Sequence, residues 1–367
     1  MRQRKKRTSY TIFLLIAILL LIYLCYIQIN RSEVGDTHFA EILCIDEKDG
    51  SYTITALYDN AASKNNDGLQ MIDGTGYSVY TAYTDMSRKN TKDISLDHTA
   101  YFILGQTAAR AGLDKCLDFI SREPDMKTNA KVFIMKSKDT NKLFQEAMED
   151  DFAPSETLES ISTRQSNNQK KPMNTLLHVL NDKDHAYNNL LIPYLVYENK
   201  NMYLEGYAAF KEQKLVRFLD YDLSRAIDLY RNNLRTCPLQ LNPNLSVELQ
   251  NIEVKPAISV NNEFLSIDLN IKAESTLKET TEPVTAFEQD TLTRLNALER
   301  YQLMNHLTDI VLAMKEDNLD LLNIGSTLEH KIAPAKIEEN WETYLDNMDV
   351  SLSVDSATAK TYTLETN

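Results

Sequence analysis

The sequence predicts an α+β protein: an N-terminal transmembrane helix, then a multi-unit ectodomain of mixed or antiparallel sheets packed with helices, including one long C-terminal helix. Three observations predict it. Residues 10–29 are an apolar run with no charge anywhere between Arg7 and Arg31. Leu265, Ile267, Leu269, Ile271 and Ala273 alternate with polar residues, the period of a half-buried strand. From about residue 286 to 315, Leu292, Leu295, Leu298, Leu303, Leu307, Ile310, Val311 and Met314 recur at helical spacing along one face.

The apolar run is about the 20 residues a helix needs to cross a bilayer core. Tyr10, Tyr23 and Tyr26 stand where aromatic residues favour the interfaces. Five of the 39 basic residues (Arg2, Arg4, Lys5, Lys6 and Arg7) and no acidic residue fall within residues 1–30. The remaining 34 basic against 53 acidic residues leave a body at −19, while the whole chain of 367 residues carries −14. The basic stub orients the N-terminus to the cytoplasm and the body outside it. A cleavable signal peptide would have a shorter apolar core and small residues before the cut. Lipidation at Cys25 would need a small residue before it, where Tyr23 and Leu24 stand. A retained single-pass anchor is therefore expected. So acidic a body argues against nucleic acid as partner, because phosphate binding depends on clustered Lys and Arg.

The body begins with a hairpin: AEILCI, a turn at residues 46–50, then the alternation Tyr52, Ile54, Ala56, Tyr58. DNAASKNNDGLQMIDGTG is expected as loop, leading into a helix at YSVYTAYTDM. YFILG and KVFIM read as buried strands flanking a helix, a mixed α/β unit. LFQEAMEDDF reads as helix, and the Ser/Gln/Asn-rich stretch to Pro172 as exposed loop. A second hairpin joins YLEGYAAF to KLVRFL through residues 211–213, and DLSRAIDLYRNN is helical. Residues 238–243 are expected to interrupt regular structure, and Val350, Leu352 and Val354 mark a last strand.

Chemistry is sparse. The six His are scattered, without zinc-ligand or nucleophile–base spacing. His98, before a strand, is expected to cap or bridge that strand. Cys44 and Cys116 occupy apolar positions and read as small buried hydrophobes. Residues 46–50 lack the alternating ligands of a calcium loop, and a hairpin turn accounts for them. Gly74 and Gly76 lack the Lys of a phosphate loop. No local motif marks a catalytic residue, cofactor or metal site, which leaves open only an enzyme built from residues distant in sequence.

Several blocks in order resemble the Ger(x)C family, the C subunits of spore germinant receptors. ILCIDEKDGSYTITAL is similar to that family's first hairpin. LDHTAYFILGQTAARAGLDKCLDFISREPDMKTNAKVFI carries His98, Gly105, Arg110 and Gly112 in register, with Gln106 in place of the usual acid. LEGYAAFKEQKLVRFLDYDLSRA carries Gly206, Phe210, Lys211 and Lys214. LDLLNIG, Trp341 and the final strand resemble the C-terminal pattern. The resemblance implies domains at 31–200 and 201–367 behind the anchor at 1–30. It also implies a non-enzymatic subunit, with no catalytic residue, cofactor or metal, on the outer face of the spore inner membrane, beside A-type and B-type subunits and needed for the nutrient response. Members are usually lipoproteins, so the poor site at Cys25 is a departure. The motif residues read as fold determinants, or as partner contacts through Lys211 and Lys214. The alternative is a generic extracytoplasmic solute-binding or sensor domain, for which direct small-molecule binding is the open question.

Overall fold

The computed structural model describes residues 16–23, 37–59, 69–149, 152–171, 174–182, 190–261, 263–280 and 289–361. Residues 16–23 form a helix, α1, with exposed apolar side chains from Ile16 to Tyr23. Among the described residues no helix is long and apolar enough to cross a membrane. The spanning helix expected at residues 10–29 is thus not supported there, and the rest of that run, Cys25 included, lies outside the described residues.

A nine-stranded sheet grows outward from the apolar strand β1 (Thr37–Lys48). Antiparallel to it lies β2 (Ser51–Asp59), then β3 (Leu69–Gly76). The short β4 (Asp93–Ser95) and β5 (Tyr101–Gly105) pair with β1 in parallel. Next come β6 (Lys131–Met135) and β7 (Leu191–Glu198), also parallel, and then the antiparallel β8 (Asn201–Lys211) and β9 (Lys214–Leu219). The sheet therefore continues past residue 200 to Leu219. Its centre is buried on both faces, which is why Ile42–Ile45 reads as a continuous apolar run instead of alternating. Leu43 and Ile45 pack with α2 (Val79–Lys89), α3 (Gln106–Ala111), α4 (Asp114–Arg122) and α7 (Leu176–Asp182). Ile42 and Cys44 pack on the other face with α5 (Thr140–Glu149) and α6 (Pro154–Asn168).

Two expectations are corrected in this half. LQMIDGTG is a strand, not loop: it pairs with β2 over eight residues, and that partner is invisible to local composition. The polar stretch after residue 153 is helix α6, begun by Pro154 in its first turn and held by buried Pro154, Leu158 and Ile161. Three apolar contacts at helical spacing outweigh a loop-like composition.

The second sheet runs β10 (Thr236–Asn242), β11 (Leu245–Asn261), β12 (Phe264–Thr280) and β13 (Met348–Thr361). Residues 238–243, expected to break structure, lie largely in β10; Pro238 is tolerated because β10 is an edge strand. β13 pairs with β12 in parallel, so the chain must cross the sheet to reach it. The crossover is the long helix α9 (Gln289–Asp317), the short α10 (Ile324–Leu328) and α11 (Pro334–Asp346). Leu303, Leu307, Ile310 and Met314 of α9 are buried in one core with the alternating apolar face of β12, and α9 meets β10 and β13.

The two sheets meet at α8 (Tyr221–Tyr230), whose Ala226, Ile227, Leu229 and Tyr230 join the second core. Tyr207, Ala209 and Leu219 of the first sheet pack into the same cluster. On the opposite side of α8, Asp228 is buried. Its carboxylate accepts from Gln169 Nε2 at 2.8 Å and Asn233 Nδ2 at 3.1 Å, with the Tyr207 hydroxyl at 3.0 and 2.9 Å from its two oxygens. Beyond the helix, Tyr230 Oη donates to Leu303 O at 2.5 Å, and Arg231 donates to the carbonyls of Leu321 and Asp320 at 2.8 and 3.1 Å.

Burial raises the Asp228 carboxyl above its ordinary range. A group raised in the folded state contributes stability below its unfolded value, and loses it as the pH climbs through the folded value. Asp228→Asn must turn one amide N–H group toward a donor, Gln169 or Asn233, at a cost of about 1–3 kcal/mol. The wild type's advantage over this variant should then shrink as pH rises from about 4. Urea unfolding of both proteins from pH 4 to 8 measures it.

Candidate functional site

Three of the motif blocks converge on one end of the first sheet. The β1–β2 turn places Asp49 and Gly50 at φ 52° and 81°, and the β8–β9 turn places Glu212 and Gln213 at 49° and 62°. Two left-handed central residues are the geometry of a two-residue hairpin loop, normally built from Asn-Gly. In Glu212 and Gln213 it is built from residues that resist it. Lys211 and Lys214 face one another directly across that hairpin, a like-charged pair that is unfavourable by itself. Between the two turns lies Gly112, at φ 130°, joining α3 to α4. Gln213 O accepts from Leu113 N at 2.9 Å, locking the second turn onto that junction. Together they line a cleft of about 470 Å³, with Tyr52 and Lys115 on its wall, the Lys115 ammonium 5.8 Å from the Tyr52 ring centre.

Behind the cleft sits Asp46. Its carboxylate accepts from Thr140 N at 2.8 Å and Thr140 Oγ1 at 3.0 Å, capping α5 from a distant strand. Burial raises its pKa, and the Thr140 hydrogen bonds partly offset this. Gly105 has ordinary extended dihedrals, φ −64° and ψ 153°. Space is what it provides: a Cβ there would lie 1.5 Å from Asp46 Oδ1. Asp46 was read from sequence only as part of a turn, whereas β1 continues to Lys48. Its role depends on a partner 94 positions away, which no local pattern signals.

The remaining motif residues are spread out. His98 lies at the other end of β5, exposed, with Nδ1 2.8 Å from Asp97 and its ring edge-on to Phe39 at 4.6 Å. Arg110 is exposed on α3. Phe210 is buried in the first core. Gly206 lies beneath α8: a Cβ would meet Leu219 O at 2.1 Å and Ser224 Oγ at 2.7 Å. Asp320, within LDLLNIG, accepts from the N–H groups of Ile324 and Gly325 at 2.8 and 2.7 Å, which holds α10. Trp341 is buried in α11, its indole N–H without a hydrogen-bond partner among the described residues. Burial pushes the Cys116 thiol up to about 12 and that of Cys237 to about 11, so both stay protonated. Among the described residues no three His, Cys, Asp or Glu side chains are grouped to hold a metal ion.

Motif residues at close approaches, around turns meeting in a cleft, belong to a two-sheet α+β protein. Residues 30–197 match the family described as spore germination protein N-terminal domain. Residues 205–361 match the family described as spore germination B3/GerAC like, C-terminal. The chain belongs to the Ger(x)C family of spore germination proteins. A solved structure, the crystal structure of the GerBC protein, is similar with a TM-score of 0.56 at 13% identity, covering 87% of this chain and 97% of that one. At that identity what is shared is the fold. No match is found among curated proteins.

Gly105→Ala should push Asp46 off Thr140 and cost about 1–3 kcal/mol, and Asp46→Ala alone should cost about 1 kcal/mol for the lost cap. Because both act on one contact, the double variant should cost less than the sum. Denaturant titration of the four proteins closes the cycle.

Proposed function

We propose that this chain is a non-enzymatic, membrane-anchored subunit of a spore germinant receptor, needed for the nutrient-triggered response. Its body stands outside the cytoplasm at the spore inner membrane, beside A-type and B-type subunits. The observation that carries this reading is the tiling of the body by the two germination-protein families in order, residues 30–197 and then 205–361. Tethering suits such a role, because it raises the effective concentration of the body at its partners and lets a modest interface suffice. Deleting the gene in a strain without paralogues should abolish germination by one nutrient and leave non-nutrient germination intact. An unchanged nutrient response refutes the assignment.

The anchor in this reading rests on the sequence, the uncharged apolar run at residues 10–29. Leu20→Arg places a charge at its middle, at a cost of about 2.5–3.5 kcal/mol for insertion. It should shift the protein from the membrane to the soluble fraction. Cys25→Ser should leave it in the membrane, and release by Cys25→Ser would instead identify Cys25 as a lipid attachment site.

A further inference from the structure

A second cleft, of about 360 Å³, opens between α6, β8 and α8. That volume is within the range of small-molecule sites, about 300–1,000 Å³. Its walls are braced by hydrogen bonds. Gln169 and Tyr207 on the wall are tied to the buried Asp228, and the end of α6 is clipped to the following segment by Arg235 N donating to Asn168 O at 2.8 Å. The rings of Tyr203, Tyr207 and Tyr221, with Ile161, Leu204 and Leu234, give it an aromatic and aliphatic lining.

Two polar groups on this lining are poorly satisfied. The Arg225 side chain is only 20% exposed, yet its ion pair is with Asp222 at 3.5 Å, and the Asp222 side chain is 81% exposed. A guanidinium carries five donors. Drawing it out of water against one long, solvent-screened contact is costly unless another anion completes the pairing. Its Cζ also lies 5.4 Å from the Tyr221 ring centre, a platform that holds the fork in place. The second group is Gln165, whose amide oxygen is buried without a hydrogen-bond partner among the described residues. Arg164, exposed at the mouth, adds a second positive charge.

From this geometry we infer that the cleft between α6, β8 and α8 is a binding site for a small aromatic carboxylate. The carboxylate pairs with the Arg225 fork, the planar body lies among the three tyrosines, and an N–H of the ligand satisfies the Gln165 oxygen. Asp228 does not compete for the ligand, because Gln169, Tyr207 and Asn233 already occupy both its oxygens. This site does not depend on the receptor assignment: it is a property of the purified chain, whereas that assignment is tested in spores.

Indole-3-acetate has all three features, and indole-3-acetamide is its neutral counterpart. In calorimetric titration of the full chain, indole-3-acetate should bind saturably, and the amide about ten-fold or more weaker, since a hydrogen-bonded charge pair carries that much. Arg225→Gln should weaken indole-3-acetate by about ten- to one-hundred-fold without moving the melting temperature, and Arg225→Lys should fall between. The comparison of the two ligands on the wild type needs no variant to fold. Equal affinity for acid and amide, no binding of either, or equal affinity of Arg225→Gln and wild type overturns the inference.

Discussion

The buried carboxylate of Asp228 is the constraint around which the two halves are arranged. It projects from α8, which packs against β8 of the first sheet and against α9 of the second unit. Burying a carboxylate is tolerable only when donors replace its water. Three residues far apart in sequence supply them: Gln169 after α6, Tyr207 on β8 and Asn233 beyond α8. The requirement therefore fixes the position of α8 against α6 and the first sheet. The opposite side of α8 is then free to carry Tyr230 into α9 and Arg231 onto the carbonyls before α10.

The same device recurs. Asp320 is also a buried carboxylate and Asp46 a half-buried one, both raised by burial and held mainly by N–H and O–H donors. Each sits where an element must start against a remote strand or turn: α5 for Asp46, α10 for Asp320. Arg231 contributes to the field at Asp228 and Asp320, while burial lowers its own pKa. Charged groups here hold helix starts and the joint between sheets, near points where the Asp46 side chain at Gly105 and the backbone at Gly206 leave no room for a side chain.

Such a frame leaves two kinds of exposed feature. At the end of the first sheet, the turns bearing Gly112, Lys211 and Lys214 make a mixed-charge cleft whose geometry is strained and locked. Beside α8, an aromatic cleft holds an under-paired guanidinium. The first coincides with the blocks by which the family is recognised. The second is lined in part by the LEGYAAFKEQKLVRFLDYDLSRA block, which contributes Leu204, Gly206, Tyr207, Tyr221 and Arg225.

Patterns set by a few neighbouring residues were decided by the sequence itself. The alternation of β12, the stripe of α9, the β8–β9 hairpin and the order of the motif blocks belong to this kind, as does the apolar run at residues 10–29. What only the tertiary structure decided was every element or role whose partner is remote. LQMIDGTG becomes β3 because β2 lies beside it, and a polar stretch becomes α6 because three side chains meet the sheet. Pro238 stays in a strand because that strand is an edge. Asp46, Asp228 and Arg225 look like ordinary surface charges in sequence. Burial, and the distance to their partners, is what separates a helix cap, a joint and a binding group from solvated residues of the same kind.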